Sequence, residues 1–224
     1  MAFFARHTRY NHPMQFSTIF FDLDDTLYPA DSGLWAQIRD RIGLYMSDRL
    51  GIPVGQVPEL RRKLFEQYGT TLRGLQVNYQ VDVADFLAYV HDVPLAQYLR
   101  PDPLQRQVLQ SLPARKFIFT NADVPHARRV LRALQLEDCF EAIIDVVALD
   151  PYCKPMPEAF AIALKSAGEP DPQRCALIDD IPRTTRAARQ LGMYAILCGQ
   201  SAPHSEADAS FADWSRLAEL LNAR

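Results

Sequence analysis

The chain has 224 residues, 48% of them apolar and 23% charged, with a net charge of −3. That length supports one sizeable core plus a subdomain, and the slight negative balance gives no basic field for nucleic acid. No run approaches the roughly 18–20 apolar residues of a membrane span. Cys139, Cys153, Cys175 and Cys198 form no CxxC pair and lack zinc-ligand spacing with a histidine, so they read as free thiols of a cytoplasmic protein.

Residues 1–15 carry no core pattern and too short an apolar run for a secretory signal, and they read as a disordered extension. From Ser17 to Leu23 the chain is nearly continuously apolar and β-rich, as a strand buried on both faces of a parallel sheet requires. The stretch over residues 32–100 has no comparable strand. Its apolar residues recur at helical spacing, first Leu34, Ile38, Ile42, Tyr45 and Met46, then Leu60, Leu64 and Phe65, then Val83, Phe86, Leu87 and Val90. A helical insertion after the first strand is expected. Tyr68–Leu75, with two glycines and two threonines, reads as a flexible loop between helical runs.

Beyond it, strands are expected at Lys116–Thr120, Ala142–Val147, Cys175–Asp179 and Met193–Cys198. Helices follow at Ala127–Leu136, Glu158–Ala167 and Arg183–Leu191. This alternation predicts an α/β fold with a doubly wound, Rossmann-like parallel sheet over residues 16–31 and 101–224. Gln200–Ser210 reads as a polar loop before a short amphipathic helix at Trp214–Leu221.

Chemistry-bearing residues gather where strands end. The first strand runs into Asp22, Asp24 and Asp25; like charges this close repel unless a cation or substrate joins them. One of the first two carboxylates can attack while the other handles a proton, although a solvated acidic turn is the plainer reading. Thr120 and Asn121 end the second strand before a helix and could cradle phosphate or cap that helix. Lys154, stiffened by Pro155 and Pro157, could offset negative charge on a phosphoryl group or be an ordinary loop lysine. Asp179 and Asp180 end the fourth strand, and hard oxygen donors of this kind suit Mg²⁺. Each site has its own bland explanation. All four at the carboxyl ends of one sheet call for a shared one, nucleophilic phosphoryl transfer on a small phosphorylated metabolite.

In these residues the sequence resembles the haloacid dehalogenase superfamily of phosphohydrolases. Asp22-Leu23-Asp24-Asp25-Thr26 resembles the first motif, Thr120 the second, Lys154 the third and Asp179-Asp180 the fourth. The resemblance implies that Asp22 is the nucleophile and Asp24 the general acid/base. It implies Mg²⁺ held by Asp22, the Asp24 backbone carbonyl and Asp180, helped by Asp179, with Thr120 and Lys154 holding the phosphoryl group and the insertion at 32–100 serving as a cap. Phe21–Pro29, Tyr68–Leu75 and Phe119–Ala122 resemble the pyrimidine 5′-nucleotidase-like branch, which implies nucleoside 5′-monophosphates as substrates and Tyr28, Thr70, Arg73 and Asn121 as substrate contacts.

One departure stands out. That branch often places a hydroxyl residue where Ile181 stands and an amide where Thr184 stands, and Arg183 adds a positive charge there unless it turns to solvent. His126, after the second motif, reads as a helix-start or surface residue, and His91 has no partner pattern. A sugar-phosphate phosphatase, a phosphomutase and a non-catalytic binding protein are the competing functions.

Overall fold

Residues 16–222 are described by the computed structural model; the extension expected over 1–15 lies outside them. The apolar runs form six parallel strands: β1 (Thr18–Phe21), β2 (Arg115–Phe119), β3 (Ala142–Ile144), β4 (Cys175–Asp179), β5 (Tyr194–Cys198) and β6 (Ala209–Phe211). Their order across the sheet is β3-β2-β1-β4-β5-β6. Phe21 pairs with Ile118 of β2 on one side and Ile178 of β4 on the other. β1 is therefore central, and the strand order reverses beside it. In open parallel sheets, ligands collect outside the carboxyl ends at that reversal.

Side chains alternate across the sheet, so each strand feeds two cores. Ile19, Phe21, Ile118 and Ile178 face one core, which α5 (Pro103–Ser111), α6 (Val124–Leu134) and α10 (Leu217–Asn222) cover. Phe20, Phe117, Phe119 and Leu177 face the other, under α8 (Pro157–Ser166) and α9 (Pro182–Gln190). A four-residue helix, α7 (Val146–Leu149), cuts short the strand expected through Val147. Asp145 caps α7 by accepting from the Ala148 amide, and it accepts from the Val124 amide of α6 as well. That double capping stops strand geometry at Ile144.

Between β1 and α5 lie α1 (Leu34–Asp48), α2 (Val57–Tyr68), α3 (Thr71–Tyr79) and α4 (Val83–Val90). α1 meets α4 where the Tyr45 ring stands edge-on to Phe86 at 5.0 Å and its hydroxyl donates to Asp85. The expected loop at Tyr68–Leu75 is instead a tight corner followed by α3. Thr70 caps α3 by accepting from the Arg73 amide. Gly74 lets α3 press on α2, since a Cβ there would lie 2.7 Å from Leu64 Cβ. Phe65, expected on the core face, is exposed. The polar loop expected over Gln200–Ser210 yields to β6 at its end. No helix among the described residues is long and apolar enough to cross a membrane.

Candidate active site

The carboxyl ends of β1, β2 and β4 converge on Lys154. Its Nζ donates to Asp22 Oδ1 at 2.6 Å and to Asp179 Oδ2 at 2.7 Å. The amine reaches this depth because its loop is pinned: the Asn121 side chain accepts from the Lys154 amide at 2.9 Å and donates to the Lys154 carbonyl at 3.1 Å. Asn121 thus spends both ends of its amide on placing Lys154. Its neighbour Thr120 is buried and accepts from the Ala122 amide.

Carboxylate oxygens of Asp22, Asp179 and Asp180 lie within 4.8 Å of one another. Burial pushes the Asp22 carboxyl up to about 7, with Asp179 and Asp24 adding to the rise and Lys154 opposing it. Burial, then Asp22 and Asp179, push Asp180 up to about 9. Burial works against the Lys154 ammonium, but Asp179 and Asp22 outweigh it and hold the amine firmly protonated. One ammonium facing three carboxylates leaves negative charge uncompensated in a desolvated place. A divalent cation with oxygen preference fits that donor set.

Asp24 is set apart from this cluster. Its Oδ1 accepts from the Tyr28 hydroxyl at 2.7 Å and faces His126 Nε2 at 3.1 Å. Burial alone would raise its pKa; His126 and Tyr28 reverse that and bring it below the ordinary carboxylate value. The structure therefore changes the reading of several residues. Tyr28, expected to touch substrate, is buried and its hydroxyl is taken by Asp24. Thr70, expected beside it, is the α3 cap. Arg73 makes no side-chain hydrogen bond or ion pair among the described residues. His126 has a fully buried ring, not a surface one. Its pairing with Asp24 spans 102 positions, so no local pattern in the sequence signals it.

At the fourth motif, the Ile181 amide donates to Asp179 Oδ1 at 2.9 Å, fixing that carboxylate from the backbone. Thr184 is buried in the first turn of α9. Arg183 turns neither into the site nor out to solvent. Its guanidinium donates to the Phe65 carbonyl at 3.0 Å and the Gly69 carbonyl at 2.6 Å, stacked 3.7 Å from the Phe65 ring centroid. It ties α9 to the α2–α3 corner.

The family model for haloacid dehalogenase-like hydrolases matches residues 16–192. Phosphate metabolism protein 8 of Saccharomyces cerevisiae is 28% identical over an aligned length of 188 residues, with 78% of this chain and 59% of that protein covered. The chain thus spans less than two thirds of that relative's length. A hydrolase from Pseudomonas syringae superposes with a TM-score of 0.65 at 20% identity, covering 92% of this chain and 98% of that one. A variant of CbbY from Rhodobacter sphaeroides, solved with xylulose 1,5-bisphosphate, gives 0.64 at 18% identity, covering 90% and 96%. At such identities the two structures speak for the fold.

Proposed function

Because the chain belongs to the haloacid dehalogenase-like hydrolase family, we propose that it is a magnesium-dependent phosphomonoester hydrolase that works through an aspartyl-phosphate on Asp22. The observation that carries this reading is the Lys154 ammonium bridging Asp22 and Asp179 at the carboxyl edge of the sheet. Asp22, Asp179, Asp180 and the Asp24 backbone carbonyl would hold Mg²⁺. Bound there, the ion supplies charge neutralisation that lets a carboxylate approach an anionic phosphate.

In the first step the negative phosphoryl group beside Asp24 raises the pKa that His126 and Tyr28 hold low in the empty site, so that Asp24 takes up a proton from water as substrate binds. An Asp22 oxygen then attacks phosphorus, the ester P–O bond breaks, and Asp24 gives that proton to the departing alcohol oxygen. In the second, water attacks the acyl phosphate, Asp24 takes the water proton, and inorganic phosphate leaves as the Asp22 carboxylate re-forms. Lys154 holds the nucleophile and faces the phosphoryl charge throughout. Thr120, at the adjacent strand end, binds a phosphoryl oxygen. The helices over residues 32–100 act as a cap whose α2–α3 corner rests against the Lys154 loop.

Two substrate classes compete. A small sugar phosphate agrees with the ligand of the CbbY structure. A nucleoside 5′-monophosphate draws on the motif resemblance, but two of its expected contacts, Tyr28 and Thr70, have hydroxyls committed elsewhere. We favour the sugar phosphate, with Arg73 as the cap residue still available to a ligand. The four unpaired cysteines accord with a reducing, cytoplasmic setting.

A phosphate-release screen with Mg²⁺ over sugar phosphates, nucleotides and other small phosphomonoesters tests the reading. Sugar phosphates should rank first and release phosphate without a bisphosphate activator. A strict activator requirement would indicate a phosphomutase, nucleotides ranking first would restore the nucleotidase, and no release from any ester would leave a binding protein.

A further inference from the structure

Asp24 is the residue on which the proton bookkeeping of the proposed hydrolysis depends, and its surroundings are unusually determined. Both of its hydrogen bonds fall on one oxygen. Tyr28 Oη and His126 Nε2 converge on Oδ1, while no described residue donates to Oδ2. His126 Nδ1 is buried with no partner, so a proton there would be unsatisfied. The hydrogen-bond pattern therefore assigns the imidazole proton to Nε2, pointing at Asp24.

The ring cannot swing away. It is fully buried and lies 4.1 Å from the His91 ring, nearly parallel at 16°. His91 in turn holds Asp123 through Nδ1 at 2.9 Å. Asp123 closes the loop by accepting from the His126 amide at 3.2 Å, as the cap of α6. His91 stands at the end of α4, so the brace joins the helical insertion to the sheet.

We propose that His126 is the positioning residue for Asp24, fixing its carboxyl so that the transferable proton sits on Oδ2, the oxygen left free for the leaving group. This rests on the acid/base reading of Asp24 given above. The chemistry follows from valence. With two donated hydrogens already at Oδ1, a proton taken up as substrate binds has only Oδ2 to occupy. During phosphorylation of Asp22, the Oδ2–H bond breaks as the ester oxygen takes the proton and the P–O bond opens. The reverse transfer, from water to Oδ2, serves the second step. Without His126, Oδ1 keeps one donor, and the carboxyl can rotate or carry its proton on the wrong oxygen.

A general acid matters most when the leaving alcohol is poor, which gives a readout that simple loss of packing would not move. The experiment measures kcat/KM with Mg²⁺ for p-nitrophenyl phosphate, phenyl phosphate and glycerol phosphate, in wild type, His126→Ala, His126→Gln, His126→Asn and Asp24→Asn. His126→Ala should lose about tenfold to a hundredfold on glycerol phosphate, part of the ~10²–10⁴-fold acid term, and no more than about threefold on p-nitrophenyl phosphate. The plot of log kcat/KM against leaving-group pKa should steepen accordingly. His126→Gln, whose amide can still donate to Oδ1, should recover most of the wild-type slope, and the shorter His126→Asn should not. Those two polar variants carry the comparison if His126→Ala fails to fold. An equal loss on all three esters, no loss at all, or identical slopes for the Gln and Asn variants would overturn the proposal. A wild-type slope in Asp24→Asn would show instead that Asp24 is not the acid, and the underlying reading would fail.

Discussion

Lys154 is held between Asp22 and Asp179 at less than 3 Å from each, and its removal tests what it offsets. Lys154→Met should abolish turnover. Breaking a buried ion pair on one side costs about 3–5 kcal/mol because the other charge is stranded. Here the stranded carboxyls can protonate, so the loss seen by urea unfolding should be smaller near pH 5 and larger near pH 8. A pH-independent loss would mean that Lys154 supports packing more than charge.

In the proposed mechanism the same carboxylates would set the response to Mg²⁺. Asp22 at about 7 and Asp180 at about 9 lie above the ordinary 3.8 of an aspartate. A carboxyl whose folded value is raised contributes its stability in full below the unfolded value and loses it as pH climbs through the folded one. Metal-free protein should therefore lose stability as pH rises from about 4 toward 9. Mg²⁺ needs the deprotonated oxygens, so the rise in Tm that it produces should grow between pH 6 and pH 9. A constant or shrinking rise would count against the cluster as the metal site. At this scale the sequence displayed the acids and the lysine but not their partners. His126 and Tyr28 reach Asp24 through the fold, and Asn121 and Thr70 carry polar groups whose use is decided by backbone neighbours.

At the scale of elements, the α2–α3 corner shows why a glycine-rich run misleads. Gly69 and Gly74 suggest flexibility, yet both mark close approach. Gly69 has φ +87, and a Cβ there would lie 2.8 Å from Cys153 Sγ; Gly74 makes room for Leu64. The corner is packed onto the loop that carries Lys154, and Arg183 fastens it by two carbonyls. Arg183→Ala should cost about 1.5–3 kcal/mol, the range for hydrogen bonds that involve a charged group, measured by chemical denaturation. Amide exchange should quicken at the end of α2. Unchanged exchange there would show that the clamp is dispensable. β6 is not legible in the sequence for a different reason: it is a three-residue edge strand, mostly half-buried, too short for an apolar run to form. The longer central strands β1 and β4, buried at every position, were legible because burial on both faces demands continuous apolar sequence.

Across the whole molecule, chemistry and topology coincide at the reversal of strand order beside β1. Alternating strand and helix signals were enough to anticipate the doubly wound sheet, and the rule that its carboxyl ends host ligands placed the acids, Thr120 and Lys154 together. Substrate choice was not legible, because helical periodicity does not orient the helices over 32–100 against the strand ends. The proposed mechanism requires a covalent phosphoryl group on Asp22. Protein turning over a phosphomonoester with Mg²⁺ can be quenched in acid and reduced with borohydride, and the peptide carrying residue 22 examined by mass spectrometry. Conversion of the Asp22 side chain to the corresponding alcohol, dependent on substrate and absent in Asp22→Asn, is the predicted result. Reduction at another carboxylate, or Asp22→Asn protein that turns over normally, would contradict it.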